Sequence, residues 1–518
     1  MKHHTATGGT MGGRSQMPCF GLALTTVAFA ASLTLLWGCP MSPPTGVTTG
    51  GQQDIAAARK VIEDGGIPDP DWITVEGFLS EHSIPIDQPD EAGLLYTAAS
   101  VSWNADFDVF TPVATVVIGF GTTITEETFE RDPLNLCLVI DRSGSMGDLI
   151  DVRSETSKLD AVKIAIDRLL AQLDGDDRVS IVTFDTGTKL WVESVPGNDI
   201  AAIKSALDEV VAGGGTDLAR GLRRGYRVVN AHRDGGRSDR LIVFTDALLW
   251  GRAQRQAVEF INVMEEYADV GIGATVFGIG TDFGHEIVYD ISQVRGGNYF
   301  FLSDYDRIVT VFDEEFDYLV TPVAYDVVLD VSVPFEFDVV GVYGIPVEEP
   351  FPHQLELEIP TLFLSTRQGG GAVMVRLRPG ALVDFSVENS VMDISMSYTT
   401  PDGENETHPA VTAVLPGGFD PDATTDYFEN DSAKRAALLL NTALVLRNAC
   451  DDAYGYYGYY RYDYSSANRE QAIERLTEFL PYFDALAEGL DDRASDTSRS
   501  LSAERALVAQ LLANIQSW

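Results

Sequence analysis

Basic residues are scarce in this chain. Its 518 residues hold 36 Lys plus Arg against 78 Asp plus Glu, a formal net charge of −42, and no basic run exceeds a pair such as Arg223-Arg224. So acidic a chain repels phosphate backbones and has no local patch to offset the repulsion, which excludes nucleic acid as the main partner. Cysteine and histidine are also few. Cys19, Cys39, Cys137 and Cys450 form no CxxC pair, and the seven His never approach HExxH spacing, which excludes a structural zinc site or a zincin. Cys137 lies inside an apolar run and reads as a buried small side chain; a bridge to Cys450 is the alternative in an oxidising compartment. No nucleophile and base pair is evident, so the chain is not expected to be an enzyme. What it does have is 45% hydrophobic residues, enough to build real cores, over a length that suggests about three folded units.

Acidic residues are missing altogether from the first 38 positions, where a weakly basic start (Lys2, Arg14) precedes an apolar run from Phe20 to Trp37. This pattern predicts a secretory signal over 1–38. Leu36-Trp37-Gly38-Cys39 resembles a bacterial lipobox, with Trp37 unusual at its position, and that resemblance implies lipidation of Cys39. An uncleaved membrane anchor is the alternative. Residues 39–51, rich in Pro, Thr and Gly, read as a lipidated Cys and a flexible tether. The expected location is the bacterial cell envelope, periplasmic or surface-exposed, with acyl chains rather than basic residues holding the protein to a membrane.

Along the rest of the chain the hydrophobic period changes several times. Residues 52–90 read as two short helices, Ile55 to Glu63 and Thr74 to His82, neither able to bury its apolar face alone. Strand patterns follow over 91–132, at Ser100 to Phe107 and Thr111 to Phe120. From 133 to 322 apolar strands (Leu136 to Ile140, Arg178 to Phe184, Leu241 to Thr245, Ala274 to Ile279) alternate with amphipathic helices, the signature of βαβ units on a parallel sheet. The first of those helices carries its apolar stripe at Leu159, Val162, Ile166, Leu169 and Leu173. Residues 323–415 return to period 2, as an all-β unit that pairs with the strands before 130. Residues 416–518 read as an acidic linker followed by helices at Ser432 to Asn448, Glu470 to Gly489 and Leu501 to Trp518, with seven tyrosines between Tyr454 and Tyr464. The fold class expected is therefore α/β: a Rossmann-like, parallel-dominated sheet between helices, inserted in a β-sandwich, with C-terminal helices.

Chemistry concentrates just past the first apolar strand, at Asp141-Arg142-Ser143-Gly144-Ser145. The carboxyl ends of strands in open α/β sheets are where ligands bind. One carboxylate and two hydroxyls without a His make a poor nucleophile site, but they suit a hard cation that prefers oxygen. Two further oxygen donors fall at matching places: Thr216 after Gly213-Gly214-Gly215, and Asp246 at the end of the strand Leu241 to Thr245. In all five positions, and in chain order, Asp141, Ser143, Ser145, Thr216 and Asp246 resemble the metal-ion-dependent adhesion site (MIDAS) of von Willebrand factor type A (VWA) domains. One departure is Ala247, where that family usually has Gly. The segments Ala56 to Pro85, Ser102-Trp103-Asn104 and Leu319 to Val327 are in addition similar to YfbK-type bacterial VWA proteins.

The resemblance implies Mg²⁺, or Mn²⁺ or Ca²⁺, held by Ser143, Ser145 and Thr216, with Asp141 and Asp246 holding its waters. It also implies a protein ligand whose Asp or Glu completes the cation's shell. Asp148 stands where integrin-type domains place an adjacent-site ligand, but reads here as a solvated loop carboxylate. The expectation is a metal-dependent protein-binding module, for adhesion or scaffolding, on an envelope lipoprotein. The alternative is a structural lipoprotein whose metal only stabilises the VWA fold.

Overall fold

A computed structural model of the chain describes residues 44–518 apart from 51–53, 90–92, 108–110, 151–153, 248–253, 281–289, 303–304, 346, 348–351, 367–370, 419–425, 455–465, 493–498 and 518. The signal segment, Cys39 and all but the first of the seven tyrosines lie outside the described residues. The strands in chain order are β1 (Pro44–Thr49), β2 (Leu95–Asp106), β3 (Thr111–Thr125), β4 (Leu134–Asp141), β5 (Arg178–Phe184), β6 (Thr188–Pro196), β7 (Ser238–Thr245), β8 (Gly273–Ile279), β9 (Gly297–Leu302), β10 (Pro322–Ser332), β11 (Phe337–Tyr343), β12 (Gln354–Ser365), β13 (Val373–Pro379), β14 (Asn389–Thr399), β15 (Asn405–Leu415) and β16 (Tyr427–Phe428).

Six of these, β4 to β9, form one sheet in the order β6-β5-β4-β7-β8-β9. All its pairings are parallel except the hairpin between β5 and β6. β4 is buried along its whole length, and its alternation feeds two cores. Leu136, Leu138 and Ile140 join the cluster containing Leu159, Val162, Ile166, Leu169 and Leu173, so the expected helical stripe is the face that covers the sheet. Cys137 and Val139 point the other way, into the cluster of Leu218, Leu222, Tyr226 and Val229 from the helix Leu218–Ala231. That helix lies close because it carries glycine where it crosses the strands. A Cβ on Gly221 would stand 2.5 Å from the Phe184 ring, and one on Gly225 would stand 2.4 Å from Val139 Cγ2.

The other ten strands form an antiparallel sheet drawn from both sides of this α/β unit. One half runs β16-β2-β3-β13-β11 and the other β12-β10-β14-β15. Their inward residues, such as Val101, Val116, Val375 and Leu377 from one and Leu329, Leu357, Ile394 and Leu415 from the other, share a single apolar cluster. The halves are continuous through β1, which pairs with the far end of β3 on one edge and with Leu362 to Ser365 of β12 on the other.

β1 corrects the expectation of a flexible tether over 39–51. Its composition is that of a linker, but Val47 is fully buried between the two halves and strands on both sides satisfy its backbone. The cysteines also diverge from the bridged alternative. Cys137 and Cys450 are free and belong to different cores, and burial pushes both thiols far up.

The helices Ala56–Glu63 and Val75–Ser80 bury Ile62, Phe78 and Leu79 against the C-terminal helices Asp431–Tyr454, Ser466–Ala487 and Leu501–Ser517, in a core that also takes the outward Val117 and Met374 of the antiparallel sheet. The acidic stretch between Asp420 and Asp431 is only partly described, and its Tyr427 and Phe428 pair with Trp103 and Ser102 rather than forming a solvated linker throughout.

Buried charges tie the terminal helices together. Arg59 donates to Glu81 through Nε at 2.7 Å and to Glu504 through Nη1 at 2.8 Å, while His82 Nε2 lies 3.4 Å from Glu504 Oε1. Arg307, beyond β9, pairs with Asp54 at 2.9 Å, and Arg131, before β4, with Asp177 at 2.9 Å and Asp317 at 2.8 Å. Burial raises the Glu504 carboxyl, but Arg59 and His82 outweigh it and hold the group at about 2. A depressed carboxylate contributes stability above its ordinary value of 4.5, and that contribution is lost as pH falls from there through about 2. Glu504→Gln is expected to cost about 3 kcal/mol at neutral pH, because it leaves Arg59 partly uncompensated. It should also flatten the acid limb of the stability curve between those two pH values; an unchanged acid limb in denaturant melts would contradict the assignment.

Candidate functional site

The chain leaves β4 first for β5 on one side and later for β7 on the other, so strand order reverses at β4 and a crevice opens at its carboxyl end. Ile140 is in register with Phe244, which brings Asp141 and Thr245 out of the sheet side by side. Asp141 is fully buried. Its Oδ1 accepts from Ser143 N at 2.8 Å, closing a local turn, and its Oδ2 accepts from Thr245 Oγ1 at 2.7 Å. Ser143 Oγ lies 3.2 Å from Ser145 Oγ, and Ser145 Oγ donates to Asp246 Oδ1 at 2.9 Å. Four of the five residues expected from the sequence thus form one hydrogen-bonded chain. Thr216 makes no bond within it. It is placed on the rim by its loop, because Gly144 N donates to Gly214 O at 3.1 Å and Gly213 N to Arg142 O at 2.7 Å. Gly213 and Gly214 have φ of +152° and +98°, a course that other residues rarely follow.

The buried carboxylates of Asp141 and Asp246 lie behind an exposed Ser145 and a half-buried Thr216. With only carboxylate and hydroxyl oxygens offered, the donor set fits a hard divalent cation and lacks the nitrogen and sulfur that favour Zn²⁺. Ala247 is buried and its N donates to Thr245 Oγ1 at 3.0 Å. Asp148 is exposed and meets none of the other site carboxylates, as its solvated reading implies. Among the described residues, metal-ligating side chains also converge at Glu81, His82 and Glu504, where Arg59 already bridges both carboxylates and Arg499 lies 3.5 Å from Glu81.

Two participants were not evident in the sequence. Thr245 has in the sequence only the mark of a strand residue. Lys158 opens the helix Lys158–Leu169, and its Nζ donates to Asp246 Oδ2 at 2.8 Å from a buried position. A signal for it exists: Lys in the first turn of a helix, directly after the N-cap Ser157, opposes the helix dipole, so its charge needs a partner elsewhere.

Burial pushes the Asp141 carboxyl up to about 6, against the lowering effect of its bonds from Ser143 and Thr245. For a raised carboxyl the stabilising form is the protonated one. Its contribution is complete below the ordinary value of 3.8 and lost as pH rises through about 6. In a chelating buffer at pH 7, Asp141→Asn is therefore expected to raise stability by roughly 1–3 kcal/mol, a gain that vanishes below about pH 4. A lower melting temperature for this variant at neutral pH would contradict the electrostatic reading.

Comparison with known proteins places a family match over the parallel sheet. The family model described as von Willebrand factor type A domain matches residues 135–314. Over 285 residues the chain is 23% identical to the uncharacterized protein YfbK of Escherichia coli (strain K12), covering 52% of this chain and 47% of that protein. It is 39% identical over 97 residues to the uncharacterized protein sll0103 of Synechocystis sp., covering 19% of this chain and 21% of that protein. The chain thus spans about half the length of the first relative and about one fifth of the second. Among solved structures, a von Willebrand factor type A protein from Catenulispora acidiphila aligns over 82% of this chain and 97% of its own, at 14% identity and a TM-score of 0.46. The parallel sheet, its covering helices and the family match over 135–314 together establish that this chain contains a von Willebrand factor type A domain.

Proposed function

We propose that the chain is a metal-dependent protein-binding module of the bacterial cell envelope, anchored by lipid on Cys39. In this reading Asp141, Ser143, Ser145, Thr216 and Asp246 hold Mg²⁺, or Mn²⁺ or Ca²⁺. The observation that carries it is the hydrogen-bonded chain from Asp141 through the Ser143 backbone N–H and the Ser143 and Ser145 hydroxyls to Asp246, at adjacent strand ends with an exposed hydroxyl in front. Bound there, a divalent cation supplies an electrophilic position that an Asp or Glu of a partner protein completes. The protein's own part is to fix the hydroxyls at the rim and keep the carboxylates behind them, so that an open face remains toward the partner. VWA domains in general mediate protein contacts, which supports the class of function. Among the described residues no helix is long and apolar enough to cross a membrane; the anchor proposed is the acylated Cys39.

A structural role for the metal predicts different behaviour, and the two separate in one set of measurements. On binding, Asp141→Ala should weaken Mg²⁺ by about 10- to 100-fold in calorimetric titration and abolish capture of envelope proteins, as EDTA should. Thr216→Ala, which removes one neutral oxygen, should do less, and Asp148→Ala should change neither. If EDTA instead lowers the melting temperature and leaves envelope capture intact, the metal is structural. No heat of Mg²⁺ binding at any accessible concentration would refute the cation site. For the anchor, Cys39→Ser should release the protein from the membrane fraction or block its processing, and an unchanged fraction with a normal mature mass would contradict lipidation.

A further inference from the structure

Both oxygens of Asp246 are engaged by side chains of opposite character. Oδ1 accepts from the Ser145 hydroxyl at 2.9 Å, while Oδ2 accepts from the Lys158 ammonium at 2.8 Å. The side chains of Lys158 and Asp246 are only 7% and 1% exposed, so water screens this pair little. The lysine is held at both ends. Its backbone N donates to Asp148 O at 2.9 Å, which ties it to the Ser143–Ser145 loop, and its stem passes Gly280, where a Cβ would come within 2.8 Å of Lys158 Cε. Gly280 directly follows β8 with φ +79°, and its missing side chain leaves a space that the lysine fills. Among the described residues, other charges near the crevice are paired or exposed. Arg142 pairs with Asp185 at 2.8 Å on the rim, and Asp148 is exposed.

We infer that Lys158 is a built-in counter-cation of the metal site, which weakens the site's hold on a free divalent cation and makes its occupancy depend on an acidic ligand. This rests on the reading of the crevice as a cation site. Asp141 and Asp246 alone would neutralise a divalent cation, and the loaded site would then attract no further anion. With the Lys158 ammonium on Asp246, the same loaded site keeps one net positive charge. The cation is held less tightly, and a carboxylate from outside restores neutrality. In a poorly screened crevice such a single charge is worth kilocalories rather than tenths. Lys158 thus couples cation and ligand, each favouring the other's binding.

The test titrates Mn²⁺ into the chelated full chain, read by water-proton relaxation, with and without acetate as a stand-in for an acidic side chain. Removal of the charge in Lys158→Met should tighten Mn²⁺ by about tenfold or more and reduce the tightening that acetate produces. Lys158→Gln, which keeps a donor for Asp246 without the charge, should shift both in the same direction and serves if the Met variant does not fold. Lys158→Arg, which keeps the charge, should stay near wild type. In EDTA, Lys158→Met should melt lower than wild type, since Asp246 loses its buried partner, and should regain more on adding Mn²⁺. Folded Met and Gln variants that bind Mn²⁺ equally or more weakly than wild type would overturn the role of Lys158. Absence of Mn²⁺ binding by wild type and both neutral variants alike would overturn the cation site itself.

Discussion

The parallel pairing of β4 with β7 is the constraint on which the rest of the site depends. It sets Ile140 against Phe244 and so delivers Asp141, Thr245 and Asp246 to one point at the carboxyl ends of the two central strands. Every later bond in the crevice builds on that delivery. Thr245 fixes the Asp141 carboxylate, Asp141 fixes the backbone of Ser143, and Ser145 reaches Asp246 across the gap. The pairing is itself held by period-2 burial, since alternate residues of β4 enter cores on opposite faces. A slip of one residue would bury Asp141 among leucines and disconnect the crevice.

Buried carboxylates are handled in two ways in this molecule, and the contrast supports the proposed reading of the crevice at the end of β4. Around Arg59, the guanidinium reaches Glu81 and Glu504 at once, and Arg499 also approaches Glu81 at 3.5 Å, so two cations face two carboxylates and link the first and last helices. At the end of β4 the compensation is partial. Lys158 meets one oxygen of Asp246, while Asp141 is met only by neutral donors and is pushed up to about 6 by burial. An incompletely compensated pair of carboxylates costs stability, and such cost persists where a ligand is to be received.

Much of this was legible in the sequence because the signals were local. The apolar runs of β4, β5, β7 and β8 alternate with helices of period 3.6, and the Asp141-to-Ser145 motif falls at a strand end by simple counting. β1 was not legible. Pro, Gly and Thr make a strand only when two neighbours supply the hydrogen bonds, and those neighbours, β3 and β12, are remote in the chain. Lys158 was hidden for a related reason. Its place at a helix N-terminus signals that the charge needs a partner, but only the fold identifies that partner as Asp246. The buried network of Arg59, Glu81, His82 and Glu504 joins the two ends of the chain and leaves no pattern in either.

The central claim is that the oxygens at the end of β4 form the cation site of this chain. The most direct measurement is the anomalous scattering of Mn²⁺ in crystals of the full chain. The account predicts a peak within coordination distance of the Ser143 and Ser145 hydroxyl oxygens, between the Asp141 and Asp246 carboxylates. A well-ordered crevice with no peak there, or a peak only at Glu81, His82 and Glu504, would contradict it.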